Sequence, residues 1–167
     1  QVARLLQPFG AKVLAAKKDV MHPEDKGYIL EGMGDPHGDF FDRLYPVEAL
    51  HSLLKESDFV VLSLPLTEET THLLDANAFQ SMRPTAYLVN VGRGELVDEQ
   101  ALIAALKEKK IAGAALDVFE EEPLPEDSPL WDFVNVILSP HISGLSHTLR
   151  GETLTLFIEN LNRYPAE

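Results

Sequence analysis

The feature that most constrains the fold is a regular alternation of short, nearly continuous apolar segments with longer segments of helical periodicity. Five apolar segments are typical of buried strands, at residues 11–16, 58–66, 86–91, 111–119 and 135–140. Runs of Val, Ile, Leu and Ala without polar alternation belong to parallel sheets with both faces covered by helices. The alternation therefore predicts an α/β fold, a doubly wound parallel sheet of Rossmann-like type.

The segments between these strands have the spacing of amphipathic helices. Helical periodicity is found in residues 1–10, 47–57, 68–82 and 98–110, and a loop after His141 leads into a last helix. Gly10 stands where a helix usually stops. Residues 22–46 hold four of the ten glycines and three of the eleven prolines, without a clear period. We expect a long loop there, of a length that is often functional or disordered.

Composition restricts the kinds of protein that this chain can be. A length of 167 residues with 45% hydrophobic residues predicts one compact domain, and the absence of cysteine excludes disulfides and thiolate metal sites, so no metal ligand is assigned. The formal charge of −13 argues against nucleic acid or anionic membrane as a partner. No apolar run approaches the roughly 18 residues of a membrane span, and no signal peptide is visible, so a cytoplasmic location is expected.

Polar residues follow the predicted strands, at the edge of the sheet where ligands of such folds bind. Arg93 lies between Gly92 and Gly94 at the end of the third apolar segment, Asp117 and Glu122 follow the core of the fourth, and His141 follows the fifth. The complete set at these ends is Lys17, Lys18, Leu64, Pro65, Val91, Gly92, Arg93, Asp117, Glu122 and His141. A guanidinium, carboxylates and an imidazole are expected to share one edge.

Three separated motifs give these positions a family resemblance. The segments LPLTEETTHLLD, LVNVGRGELVDEQALIAALKEKKIAGAALDVFEEEPLPEDSPLW and NVILSPHISG resemble the nucleotide-binding domain of the D-isomer-specific 2-hydroxyacid dehydrogenases. The resemblance runs without a gap from about residue 58 to 144, and more loosely over residues 1–18 and the last helix. It implies a nicotinamide cofactor, NAD or NADP, and interconversion of a 2-keto and a 2-hydroxy acid. It also implies a second, substrate-side domain and usually a homodimer.

The resemblance assigns roles to individual residues. It implies that Arg93 binds the substrate carboxylate through its planar fork, that His141 is the acid/base, and that Glu122, directly before Pro123, orients the imidazole and favours its charged form. Asp117 is expected to contact the nicotinamide carboxamide. The cofactor-binding residues implied are Lys17, Lys18, Leu64, Pro65, Val91, Gly92, Arg93, Asp117, His141 and Gly144. The glycines beside Arg93 are expected to let backbone amides approach the cofactor.

Each assignment has a plainer alternative. A Gly-Arg-Gly turn is commonly a surface loop, the run from Glu120 to Glu122 could be a solvated face, and Asp117 could cap a turn. Lys17 stands where members of the family that use NAD commonly carry an aspartate, so the pair Lys17 and Lys18 could bind a 2′-phosphate or be solvated. The other five histidines receive no role.

One departure concerns the start of the chain. The first strand and the glycine-rich turn of the family should precede Gln1, and neither is in this sequence. We therefore interpret residues 1–167 as a partial dinucleotide-binding domain, truncated at the N-terminal strand and without its substrate domain, and expect a gap in the middle of the sheet. The alternatives are a catalytically incompetent fragment, an NAD(P)-binding or dimerisation module, a nucleotide-sensing regulator, or a formate-, phosphite- or glyoxylate-type relative.

Overall fold

The computed structural model describes residues 1–24 and 32–164, and its elements alternate along the chain as the sequence predicts. The strands are β1 (Leu14–Lys17), β2 (Arg43–Pro46), β3 (Phe59–Leu62), β4 (Tyr87–Asn90), β5 (Gly113–Leu116) and β6 (Val136–Leu138). The helices are α1 (Val2–Leu6), α2 (Leu50–Glu56), α3 (Ala76–Ser81), α4 (Glu99–Lys107) and α5 (Leu149–Arg163). Every strand pair in these residues is parallel, and the predicted Rossmann-like fold class is confirmed.

The strands form two sheets rather than one. β1 pairs with β2, while the other four strands pair in the order β3-β4-β5-β6. Within the described residues no strand pairing joins the two sheets. Helix α2 contacts β1 and β2, and it also packs against α3, so it links the two parts of the fold.

The prediction of an unbroken loop over residues 22–46 is wrong at its end, because Arg43–Pro46 is strand β2. Tyr45 in this strand is 4% exposed, and its hydroxyl donates a hydrogen bond to Glu56 at 2.8 Å. A strand of four residues is too short to display strand periodicity in the sequence. The pairing of β2 with β1 therefore decides its conformation. Residues 25–31 of the predicted loop lie outside the described residues.

The main core lies on one face of the four-stranded sheet. Side chains of the same register row point to the same side of a parallel sheet. Val60, Leu62, Leu88 and Leu116 thus face together, and all are buried. They belong to one apolar cluster with residues of α2, α3 and α4. We call this side the packed face.

The alternate residues of the same strands form the open face. Phe59, Val61, Tyr87 and Ile137 are 66%, 38%, 42% and 72% exposed, although all are large and hydrophobic. Phe59 and Tyr87 stack with their ring centroids 5.7 Å apart. Within residues 1–24 and 32–164, the expectation of helices over both faces therefore holds for the packed face only. No helix within residues 1–24 and 32–164 is both long and apolar enough to cross a bilayer.

Helix boundaries follow the capping residues. Helix α4 begins after Asp98, whose side chain accepts a hydrogen bond from the amide of Ala101 at 3.0 Å. Helix α3 begins only after Asp75, which accepts from the amide of Ala78 at 2.8 Å, so the helical spacing predicted from residue 68 applies to its second half alone. Gly10 follows the first helical segment with φ of +69°, as predicted for a stop.

Candidate functional site

The turn after β4 is built on a buried asparagine. Asn90 is 1% exposed; its side-chain amide donates to the carbonyl of Arg93 at 2.9 Å and its side-chain oxygen accepts from the amide of Gly92 at 3.1 Å. These bonds close the turn and leave Arg93 exposed, with its Nη1 donating to the Gly92 carbonyl at 2.7 Å. Asn90 is not among the predicted site residues, although one amide inside the apolar run LVNV is a usable signal.

The two glycines of this turn are closely packed against other parts of the chain. A Cβ at Gly92 would lie 2.8 Å from Cδ1 of Leu96, and a Cβ at Gly94 would lie 1.9 Å from the backbone carbon and oxygen of Phe119. Such distances are far below ordinary contact. This close packing joins the Arg93 turn to the segment that leads to Glu122.

Asp117 follows β5 and is a buried carboxylate with several donors. It is 3% exposed, and it accepts hydrogen bonds from Ser139 Oγ at 2.6 Å, the Ile142 amide at 2.9 Å and the Ser143 amide at 2.8 Å. Burial opposes ionisation, but these hydrogen bonds outweigh it and hold the pKa of Asp117 well below its usual range. The group is therefore an anion at neutral pH.

His141 and Glu122 are in direct contact. Nδ1 of His141 lies 2.7 Å from Oε2 of Glu122, and Oε1 of Glu122 accepts from the amide of Phe119 at 3.1 Å. The hydrogen bond to His141 lowers the pKa of Glu122; desolvation opposes this shift, and the Phe119 amide and the charges of His141 and Arg93 add to it. An ionised Glu122 fixes the Nδ1–H tautomer, so Nε2 is the ring nitrogen that can exchange a proton with a bound molecule.

These groups lie at the same edge of the sheet. Arg93 is close enough for its charge to act on Glu122, which in turn contacts His141. A cavity of about 610 Å³ has Glu122 and His141 in its wall. The rest of its lining is largely apolar and consists of Phe119, Pro123, Leu124, Trp131, Leu138, Ser139 and Pro140. An arrangement of this kind can hold a small anion beside a proton donor.

The two lysines at the end of β1 have different surroundings. Lys17 donates from Nζ to the carbonyls of His22 and Glu24, at 2.5 Å and 3.0 Å. Lys18 is exposed and forms an ion pair with the equally exposed Glu69 at 2.7 Å. The Lys17 ammonium is thus used to hold the chain after β1, whereas that of Lys18 points to solvent.

The remaining predicted positions are at or near the strand ends. Pro65 and Val91 are exposed, and Leu64 is half-buried against the core. Gly144 lies in an exposed turn three residues after His141, with no atom within 4 Å of a Cβ added there. The structure brings Glu122 and His141 into contact, whereas Lys17 ends β1 of the other sheet and Lys18 follows it.

Comparison with known proteins gives consistent matches. The family model described as "D-isomer specific 2-hydroxyacid dehydrogenase, NAD binding domain" matches residues 1–143. A glyoxylate reductase from Korarchaeum cryptofilum is 52% identical over 112 residues, which are 67% of this chain and 34% of that protein. The chain thus matches about a third of the length of this curated relative.

Solved structures resemble nearly the whole chain. A D-isomer specific 2-hydroxyacid dehydrogenase family protein from Aeromonas salmonicida has a TM-score of 0.78 and 36% identity, over 99% of this chain and 49% of that one. An NADPH-dependent glyoxylate/hydroxypyruvate reductase from Sinorhizobium meliloti, in complex with NADP and malonate, has a TM-score of 0.74 and 34% identity, over 96% of this chain and 44% of that one.

Proposed function

Because the chain belongs to the D-isomer specific 2-hydroxyacid dehydrogenase family through its NAD-binding domain, we propose that the whole protein transfers a hydride between a nicotinamide cofactor and a 2-keto or 2-hydroxy acid. The observation that carries the proposal is the contact of His141 with Glu122 at 2.7 Å, beside the Arg93 turn. The names of the relatives favour small substrates of the glyoxylate and hydroxypyruvate type.

Arg93, His141 and Glu122 have separate roles in this reaction. Arg93 binds the carboxylate of the acid with two parallel hydrogen bonds, which fixes the neighbouring carbonyl. His141 holds a proton at Nε2 and gives it to the carbonyl oxygen, while Glu122 stabilises the imidazolium through Nδ1. In the oxidative direction, His141 takes the proton from the hydroxyl group. The bound nicotinamide supplies or accepts the hydride.

The residues at this edge fit a nicotinamide cofactor. Pro65 and Val91 are exposed apolar side chains just beyond β3 and β4, and they offer a surface for a flat ring. In open α/β sheets, ligands bind beyond the carboxyl ends of the strands, which is where these residues and Gly144 lie. The backbone of the turn at Gly144 is exposed as well.

The function is tested by replacing the acid/base. We expect His141→Gln in the whole protein to lower kcat for glyoxylate and hydroxypyruvate by about 10²–10⁴, the usual contribution of a positioned acid/base. His147→Gln is the matched control, because His147 is an exposed histidine on the same loop with no assigned role. Equal kcat values for wild-type protein and His141→Gln would contradict the assignment of His141.

We also propose NADP as the preferred cofactor, with Lys18 as the cation for the 2′-phosphate. Lys18 is exposed directly after β1, and its ion pair with Glu69 is exposed to solvent, so a phosphate can replace that carboxylate. Lys18→Ala should weaken binding of NADPH more than that of NADH, measured by titration of both cofactors. Lys12→Ala, an exposed lysine before β1, is the control. Tighter binding of NADH by wild-type protein would refute the preference.

The homodimer and the cytoplasmic location expected from the sequence are part of this proposal. The family resemblance supports the homodimer. Light scattering of the whole protein measures its mass, and a monomer at working concentrations would contradict the dimer.

A further inference from the structure

We propose that Asp117 is a positioning residue, whose carboxylate holds the loop at residues 139–143 so that the His141 ring meets Glu122. The inference rests on the proposed function for its catalytic consequence, but the geometry that carries it is independent of any cofactor. It gives Asp117 a role different from the nicotinamide contact implied by the family resemblance.

The carboxylate binds residues on both sides of His141. Ser139 Oγ and the Ile142 amide donate to Oδ1 at 2.6 Å and 2.9 Å, and the Ser143 amide donates to Oδ2 at 2.8 Å. The backbone carbonyl of Asp117 also accepts from the amide of His141 at 2.8 Å. Asp117 therefore binds the loop at His141 itself and on both sides of it, at Ser139, Ile142 and Ser143.

The backbone of His141 needs such support. Its φ is +54°, and only two other non-glycine residues in the described ranges, His72 and Lys109, have positive φ. A left-handed conformation at a residue with a Cβ costs free energy and persists where surrounding bonds determine it. Here those bonds converge on Asp117, and the resulting turn directs the ring toward Glu122.

The burial of Asp117 strengthens its hydrogen bonds to the loop at residues 139–143. Asp117 is 3% exposed, so its hydrogen bonds are protected from competition by water. Its pKa is lowered despite burial because Ser139, Ser143 and Ile142 donate to the charged form. The carboxylate thus stays ionised at neutral pH, and its hydrogen bonds hold the loop on both sides of His141.

The first test uses NMR on the whole protein without cofactor. Asp117→Asn replaces one carboxylate oxygen, a hydrogen-bond acceptor, by an amide group that donates. We therefore expect hydrogen exchange of the Ile142 and Ser143 amides with solvent to accelerate at least about tenfold. The Hε1 signal of His141, identified among six histidines by its absence in His141→Gln, should shift. Asp75→Asn, which changes a similar acceptor at the start of α3, should leave both readouts unchanged. Unchanged exchange and an unchanged His141 signal in Asp117→Asn would overturn the proposal.

The second test separates positioning from cofactor contact. A misplaced His141 should lower kcat of Asp117→Asn about 10²-fold while the Kd for cofactor stays near the wild-type value. A weaker cofactor Kd with unchanged kcat would instead identify Asp117 as a cofactor contact and overturn the proposal. If wild-type protein reduces no 2-keto acid while the NMR link between Asp117 and His141 holds, the proposed function fails and the positioning role stands.

A milder variant decides the matter if Asp117→Asn does not fold. Ser139→Ala removes one donor from Oδ1 and leaves the Ile142 and Ser143 amides in place. It should move the His141 signal in the same direction by a smaller amount. A folded Ser139→Ala protein whose His141 signal is identical to wild type would overturn the proposal.

Discussion

The two faces of the four-stranded sheet differ in packing although both are apolar. Leu88 and Tyr87 are neighbours in β4, yet Leu88 on the packed face is 0% exposed and Tyr87 on the open face is 42% exposed. The strands continue the same contrast, with Val60 and Leu116 buried and Phe59 and Ile137 largely exposed. An apolar strand sequence thus predicts that a face can be buried, whereas the neighbouring elements decide whether it is.

The largest effect on the free energy of unfolding is expected from truncating a side chain on the packed face, and the matched truncation on the open face tests the comparison. Leu88→Ala on the packed face should lower the free energy of unfolding by about 2–5 kcal/mol, because it leaves a cavity under the helices. Ile137→Ala on the open face should cost less than about 1 kcal/mol, since most of its side chain is already in water. Urea unfolding of the 167-residue chain measures both values. Equal losses would mean that the open face is covered in solution.

A smaller effect on stability is expected from adding a methyl group at a closely packed glycine, and almost none at an open one. Gly94→Ala places a Cβ against the Phe119 backbone, so it should destabilise by about 1–3 kcal/mol and displace the segment leading to Glu122. Gly144→Ala has open space and should change stability by no more than about 0.5 kcal/mol. Thermal unfolding compares the two. A harmless Gly94→Ala would show that this contact is loose.

The smallest effect on stability is expected from the exposed contact of Glu122 with His141. The pKa of Glu122 is lowered in the folded protein, so its stabilising effect is present above its ordinary value of 4.5 and is lost as pH falls through the folded value. Because both side chains are more than a third exposed, Glu122→Gln should cost only about 0–1 kcal/mol near neutral pH. This difference should vanish in acid, whereas the cost of Leu88→Ala should not. Unfolding at several pH values tests this, and a Glu122→Gln cost that grows in acid would contradict the sign.

The sequence predicted those parts of the fold that depend on patterns of several residues. The five apolar segments became β1 and β3 to β6, and the helical periodicity of residues 98–110 became α4. Strand β2 was missed because four residues are too short for a pattern and only Tyr45 is buried among them. The late start of α3 was readable from Asp75, a usual capping residue.

At the site, charged side chains are easier to recognise in the sequence than the backbone groups that hold them in place. Arg93 and His141 follow apolar strands in the sequence, and the family resemblance selects Glu122 from three consecutive glutamates because it directly precedes Pro123. The amides of Ile142 and Ser143 that bind Asp117 carry no sequence signal, since any residue except proline supplies one. The packing reason for Gly94 likewise depends on Phe119, which is 25 positions away along the chain and adjacent in space.

The position of Trp131 gives the chain an optical probe of its own. It is the only tryptophan in the sequence, its indole NH donates to the carbonyl of Pro125 at 2.9 Å, and it lines the cavity that also contains Glu122 and His141. Indole emission responds to local water, so tryptophan fluorescence of the 167-residue chain reports the hydration of the surroundings of Trp131. A molecule that displaces water from the cavity should change the colour of the emitted light without any label.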